Sequence, residues 1–458
     1  MKTFLVIFIA ALTLQGAVAS LTVASAVAGD GDIYVATNGL DTNPGTLAQP
    51  TTLTKAITFV QPGGTIYLRG GTYVYSTQIT LERTNTGAGE LLRKRIFAYP
   101  AEQPVLDFSS QPYGKTLRVH NPRGIQISGH WWHLRGLEVK GSADNGIYVA
   151  GNSNIVERCI THHNRDTGLQ IGRYASTVAH TDWPACNLIL NCDSYDNCDL
   201  FPNGGENADG FACKLTSGPG NIFRGCVAHN NTDDGWDLFT KRATGPIDPV
   251  IIDQCVAYAN GVLTDGTINK NGDRNGFKLG GSSIAVDHVV TRSLAFSNLH
   301  NGFTWNSNPG RIRMVNNLAF DNTKGNYKFD VEGPIFFNNL SFWKSLASNQ
   351  SDRRGASGSP ATRSNCWWDK SKKQPSINGQ GLLVTAGDFV SLVPPAGGFT
   401  RNADGTLNLG NFGRLAAGSP LINAGDMPVL PNPSKLPFDP VAYYLGTPDI
   451  GVVESRPQ

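Results

Sequence analysis

Six short phrases in the middle of the chain close on glycine and run on into an apolar strand: Asp144-Asn145-Gly146-Ile147, Asp166-Thr167-Gly168-Leu169, Ala208-Asp209-Gly210-Phe211, Asp234-Gly235-Trp236, Asn275-Gly276-Phe277 and Asn301-Gly302-Phe303. Their glycines follow one another at intervals of 22, 42, 25, 41 and 26 residues. A second phrase alternates with the first and ends in asparagine: Cys159 to Asn164, Cys192 to Asn197, Cys226 to Asn231, Cys255 to Asn260, Ser293 to Asn298 and Asn317 to Asn322. One of each makes one turn of chain, and the longer intervals carry loop insertions. Neither phrase is long enough to bury its own apolar face, so successive turns must stack, with strands one turn apart running parallel. That is a parallel β-helix. A β-propeller needs roughly 40 to 45 residues per blade, which the short intervals speak against. The closing asparagines are expected to form a ladder at one corner, where the side chain bonds backbone groups and tolerates a left-handed conformation.

Composition agrees. Among 458 residues, Gly 52 and Pro 26 suit turns and disfavour long helices, and 40% hydrophobic against 16% charged residues supplies a core. A formal charge of +2 excludes the basic domain of a nucleic-acid binder. Met1-Lys2, the apolar run from Phe4 to Leu14 and Ala17-Val18-Ala19 read as a secretory leader over residues 1–19, too short to span a bilayer and cleaved before Ser20, with Ala26-Val27-Ala28 as a second cleavage site. A secreted, extracellular protein without membrane attachment is expected, as a monomer. Thr52 to Val60 reads as a short amphipathic helix capping the first coil, which begins at Thr65-Ile66-Tyr67-Leu68. The repeats fade after Lys344, so residues 20–344 are read as the β-helix and 345–458 as an irregular C-terminal tail packed on it.

Export would ordinarily turn eight cysteines into disulfides. Cys159, Cys192, Cys226 and Cys255 share one slot of the repeat, however, and should stack as buried small hydrophobes. Cys186 and Cys198 are the better bridge candidates.

Strand alternation then separates core from surface. Phe211 and Cys213, Trp236 and Leu238, Phe277 and Leu279, and Phe303 and Trp305 face inward, which leaves Tyr148, Gln170, Ala212, Asp237, Lys278 and Thr304 as an outward column. In-register pairing would set Asp237 and Lys278 one coil apart, about 4.8 Å along the axis. Asp209, Asp233 and Asp234 close turns beside Asp237, so four carboxylates converge on two adjacent coils. Asp before Gly is ordinary turn chemistry, which suffices for Asp144 and Asp166; Asp237 sits in a strand, where turns do not require it. Like charges this close call for a cation, and hard oxygen donors suit Ca2+ better than zinc. Position alone leaves Lys278 open between a solvated ion-pair partner of Asp237 and a catalytic group.

At Asn207-Ala208-Asp209-Gly210-Phe211, Asn231-Thr232-Asp233-Asp234-Gly235-Trp236-Asp237-Leu238 and Asn275-Gly276-Phe277-Lys278-Leu279-Gly280 the chain resembles polysaccharide lyase family nine, pectate lyases built on a right-handed parallel β-helix. The resemblance runs from about Asp32 through the central coils and, more loosely, to Gly418-Ser419-Pro420-Leu421. It implies calcium on Asp209, Asp233, Asp234 and Asp237, Lys278 as the base, and β-elimination on an acidic plant cell-wall polysaccharide, polygalacturonate, as substrate. Such an amine must lie near the acids and be reachable by substrate. Lys241, Arg242, Lys270 and Arg274 are candidates for binding substrate carboxylates, against the ordinary alternative of solvated surface charge.

Asn231-Thr232-Asp233 also resembles the polygalacturonases, but their Gly-His-Gly and Arg-Ile-Lys are missing; Arg311-Ile312-Arg313 is the nearest approach. The remaining alternatives are a lyase acting on another uronic-acid polymer such as rhamnogalacturonan, an exo-acting lyase, and a non-catalytic glycan-binding β-helix.

Overall fold

The computed structural model describes residues 31–114, 121–344, 351–354, 364–369, 376–428, 436, 438–444 and 446–455; the leader expected at 1–19 lies outside them. Three parallel sheets of 11, 10 and 10 strands wrap the chain into a β-helix. One coil shows the plan: Ile155–Glu157 lies in the first sheet, Ile160–His162 in the second and Leu169–Ile171 in the third. Strands from successive coils pair parallel and in register.

The inward column is a pile of rings. Phe211, Trp236, Phe277, Phe303 and Tyr327 stack with centroids 4.9, 4.7, 4.8 and 5.2 Å apart, all essentially inaccessible to solvent. Offset stacking at this spacing is favourable beyond the area it buries, so identical slots reinforce one another along the axis. Residues Leu53–Phe59 form the capping helix, with Thr52 accepting from Lys55 N–H and Leu53, Ala56 and Ile57 buried against the first coils. The cap thereby covers an end that would otherwise offer an open edge.

The asparagine ladder is continuous from Asn164 through Asn197, Asn231, Asn260 and Asn298 to Asn322. From Asn197 onward each Oδ1 accepts both the backbone N–H and the side-chain amide of the asparagine one coil before, as Asn260 does for Asn231 at 3.3 and 3.0 Å, and Asn164 Oδ1 accepts from the N–H and hydroxyl of Ser142. The left-handed conformation falls one residue earlier than expected, on His163, Asp196, Asn230, Ala259, Ser297 and Asp321. The asparagine itself must keep an orientation that stacks. The repeat glycine serves the same device: a Cβ on Gly235 would stand 2.6 Å from the Gly276 carbonyl and 2.9 Å from Asn260 Nδ2. Glycine is needed there for close approach, not for a positive φ.

Cys159, Cys192, Cys226 and Cys255 stack in the core as read, each thiol reaching a backbone carbonyl. The slot then changes chemistry without changing role, since Ser293 accepts from Cys255 N–H, Asn317 from Ser293 N–H, and Asn339 from Asn317 N–H. Cys186 and Cys198 are not bridged; both thiols are free. Cys186 precedes the strand Leu188–Leu190 and Cys198 follows Asp193–Tyr195, so two extended strands keep them apart.

Coil stacking continues past Lys344: Arg353–Arg354 pairs with Lys328–Phe329, and Asn365 accepts from Asn339. The chain then folds back over the second sheet. Phe399 and Phe412 pack on Phe296, and Arg401 pairs with Asp193 at 2.6 Å. No helix among the described residues is long and apolar enough to cross a membrane.

Candidate active site

The outward column of the third sheet is in register along its whole length: Tyr148 pairs with Gln170, Gln170 with Ala212, Ala212 with Asp237, Asp237 with Lys278 and Lys278 with Thr304. Phe211, Trp236 and Phe277 anchor the inner face of these strands, so Asp237 and Lys278 are held on the outer face of the sheet by the rigid ring stack beneath them. Asp209 and Asp234 reach the same patch from the turns before Gly210 and Gly235.

Asp209, Asp234 and Asp237 each present an oxygen within 4.8 Å of the others, and all three side chains are buried. Asp234 Oδ1 accepts from the backbone N–H and side-chain amide of Asn275 at 2.6 and 2.9 Å, which fixes its orientation. Asp209 Oδ2 accepts from Thr167 at 3.1 Å. Asp237 Oδ1 has no hydrogen-bond partner among the described residues, and Asp234 Oδ2 has only the Lys278 ammonium at 3.2 Å, outside hydrogen-bond geometry. Buried carboxylate oxygens without donors are what a hard divalent cation would take up, and the all-oxygen donor set fits calcium. Asp233 lies beside this trio but outside it; its Oδ1 accepts from Asp273 N–H, across the turn of the next coil.

Lys278 Nζ stands 2.9 Å from Asp273, 3.2 Å from Asp234 and 3.7 Å from Asp237. The side chain is more enclosed than a freely reachable amine, at 7% exposure, yet it lines a groove of about 350 Å³ together with Asp237, Phe239, Lys241 and Asp273. Lys278 therefore lines the groove with only a small part of its surface, its ammonium held among Asp273, Asp234 and Asp237.

Two charged residues at this site were not foreseen. Lys214 is buried, 2.6 Å from Asp209 and 3.2 Å from Asp237. Extending the alternation of Phe211–Cys213 by one residue makes position 214 the next outward slot, which is the signal that could have found it. Asp273 comes from the insertion before Asn275, where no periodicity speaks. Of the four basic candidates, Lys241 lines the groove. Arg242 and Lys270 are exposed, and Arg274 is half-buried with Nε donating to the Gly272 carbonyl.

The electrostatics follow from burial and crowding. Burial raises Asp209 well above the carboxylate range, with Lys214 opposing and Asp237 and Asp234 adding to the rise. Burial likewise lifts Asp233, reinforced by Asp234 and Asp209, and brings Asp234 to about 7 despite Lys278. For Lys278, burial pulls downward, but Asp237, Asp234, Asp233 and Asp273 together hold it well above the usual lysine range. Without a further cation the site therefore holds protons that a basic amine would have to shed. A bound dication would change both sides of that balance, displacing protons from the acids and repelling the one on Lys278.

The chain is similar to known proteins over most of its length. A family model described as the Pel9A-like right-handed β-helix region matches residues 33–339. Pectate lyase L of Paenibacillus polymyxa (strain SC2) is 51% identical over 411 residues, covering 90% of this chain and 86% of that protein. The crystal structure of pectate lyase Pel9A superposes with a TM-score of 0.75 at 31% identity, covering 94% of this chain and 98% of that one. A rhamnogalacturonan lyase follows with a TM-score of 0.66 at 25% identity, over 84% and 96% of the two chains.

Proposed function

The chain belongs to polysaccharide lyase family nine and is a pectate lyase, and from that premise we propose that it cleaves polygalacturonate by calcium-dependent β-elimination with Lys278 as the base. The observation that carries this reading is the in-register pairing of Asp237 with Lys278, which sets one amine beside the cluster of Asp209, Asp234 and Asp237 from adjacent coils, with Asp237 and Lys278 themselves lining the groove.

Calcium would be held by Asp209, Asp234 and Asp237, with Asp233 alongside, and would supply Lewis acidity toward the carboxylate of the sugar being cleaved. Lys278 accepts the proton from the carbon bearing that carboxylate. The electron pair left behind forms a carbon–carbon double bond as the glycosidic oxygen departs with its own pair, so no water is consumed. Neutral Lys278 is the active form, so activity should rise into alkaline pH. Asp273 contacts the ammonium at 2.9 Å and orients it. Asn275 holds Asp234 through two donors, which keeps one ligand oxygen fixed. Lys241, which lines the groove, would face the substrate's other carboxylates, whereas Arg242, Lys270 and Arg274 are not part of the groove lining.

We take residues 1–19 as a leader and the mature chain as secreted and monomeric, with residues 20–344 as the catalytic β-helix and 345–458 as an extension packed on it. Absorbance of the new double bond tests the reaction: the intact enzyme should generate it on polygalacturonate with calcium, and neither a chelated sample nor Lys278→Ala should. Full activity of Lys278→Ala removes Lys278 as the base. Reducing ends that appear without ultraviolet absorbance would mean hydrolysis.

A further inference from the structure

The outward column that carries Asp237 and Lys278 continues beyond them, and its two directions differ in charge. Toward the N-terminal end it reads Ala212, Gln170, Tyr148 and Gln126, all uncharged. Arg123 approaches this half, but it stacks on Tyr148 and pairs with Asp144 at 3.7 Å. Toward the C-terminal end the column reads Thr304, Lys328 and Arg353, in register with Lys278. Lys328 projects outward because its neighbours Tyr327 and Phe329 are buried in the core. Lys324, exposed on the turn before, joins Lys328, Arg353 and His300 around a cavity of about 200 Å³. No carboxylate among the described residues pairs with Lys324 or Lys328; Arg353 has only the loose contact to Asp330 at 3.5 Å, with both side chains open to solvent.

Coils advance by about 4.8 Å, so Lys328 lies roughly 10 Å along the axis from Lys278 and Arg353 one coil further. That advance is comparable to the length of one sugar in an extended 1,4-linked uronate chain. A polymer lying along the column would bring successive carboxylates past successive coils. Resting on the polygalacturonate reading above, we propose that Lys324, Lys328 and Arg353 form a carboxylate-reading ledge two to three coils from the reacting sugar. This half of the groove then requires free carboxylates, whereas the half over Gln170 and Tyr148 accepts uncharged, esterified sugars. Arg353 suits the role by its planar fork, and the lysines by unpaired charge.

The test uses the full-length enzyme with calcium and compares wild type, Lys324→Gln, the double variant Lys324→Gln/Lys328→Gln, and Lys328→Arg. On polygalacturonate at low ionic strength, KM of the double variant should rise on the order of tenfold, the loss expected of charge-assisted contacts, with kcat little changed. Lys328→Arg should restore KM. The preference for polygalacturonate over randomly methyl-esterified pectin should shrink in the double variant. Lys55→Gln, an exposed charge on the capping helix, controls for net charge. An unchanged KM in the double variant, or the same rise in Lys55→Gln, overturns the ledge. Retardation in a polygalacturonate gel reads binding without turnover. If wild type is retarded and the double variant is not, the ledge stands even should cleavage fail, and the failure belongs to the catalytic reading. Equal retardation rejects the ledge, and Lys324→Gln, one exposed side chain, gives the same readout if the double variant does not fold.

Discussion

Two buried polar clusters share the same coils, and only one of them is complete. In the asparagine ladder, Asn231 and Asn260 are fully buried and every side-chain oxygen accepts two hydrogen bonds from the coil before. A few residues on, Asp209, Asp234 and Asp237 are buried as deeply, with oxygens left unpartnered and two lysines pressed against them. The difference lies in the functional groups. An amide both donates and accepts, so a column of amides satisfies itself coil after coil. An ionised carboxylate only accepts, so a cluster of them cannot close without cations. The ladder is a stability device, and the acid cluster is a binding device that the ladder's rigidity keeps in place.

Breaking each cluster should therefore give opposite signatures. The largest effect is expected from Lys278→Ala: loss of a general base typically removes 10² to 10⁴ in rate, so kcat on polygalacturonate should fall by about 10³, while calcium, taking over the charge lost beside Asp234 and Asp237, keeps the enzyme folded. Next comes Asn260→Ala. It strips acceptors from the Asn231 N–H and amide and a donor from Asn298, and should cost about 3 kcal/mol in denaturant unfolding, with kcat of the surviving folded enzyme nearly intact. A comparable fall in kcat would mean that the ladder does more than hold the site. Asp237→Asn is smaller and mixed in sign. Relief of like-charge crowding should stabilise the calcium-free protein by about 1 kcal/mol, while the roughly 2.7 kcal/mol that calcium adds at 100 times its Kd should vanish. Thermal melts with and without calcium read both terms. If calcium still raises the variant's melting temperature as in wild type, Asp237 is not a ligand.

These differences also mark what the sequence discloses. The columns were legible because alternation in strands and one glycine per coil translate into register, and the register of Asp237 with Lys278 followed from counting residues past Gly235 and Gly276. The stacking of Cys159 to Cys255 followed the same count. Lys214 was one alternation step away and hidden by the end of its strand, since the strand Phe211–Cys213 stops just before it. Asp273, Lys324 and His300 sit in turns and insertions, whose paths depend on packing that no period encodes. The left-handed residue before each ladder asparagine was misplaced because asparagine suits that conformation best in isolation, whereas here stacking claims it. The pairing of Cys186 with Cys198 was suggested by nearness in sequence, which two intervening strands make irrelevant.

A third polar column lies between the two extremes and sharpens the contrast. Asn187 and Asn221 accept from the backbone N–H of Asn154 and Asn187, and two coils further on His288 Nδ1 accepts in the same way from Val250 N–H at 3.1 Å. A neutral ring whose Nδ1 accepts must carry its proton on Nε2, and His288 Nε2 is buried with no partner among the described residues. Here the ladder is satisfied on one atom and orphaned on the other. Burial drops the pKa of His288 from 6.5 to about 3, so between those values the unfolded chain binds a proton that the folded chain refuses. Its contribution to stability is thus complete above about pH 6.5 and is lost as pH falls toward 3, by about 1.4 kcal/mol per pH unit. His288→Asn places an amide oxygen where Nδ1 stood, as Asn187 and Asn221 do, and removes the titrating group. At pH 7.5 the variant should lie within about 1 kcal/mol of wild type, the lost ring volume offsetting the relief of the orphaned N–H. The two unfolding curves should then diverge in the variant's favour as the pH is lowered through 6 to 4. Parallel pH profiles would show that His288 finds a partner or a proton in the folded state, and that this column is as complete as the asparagine ladder.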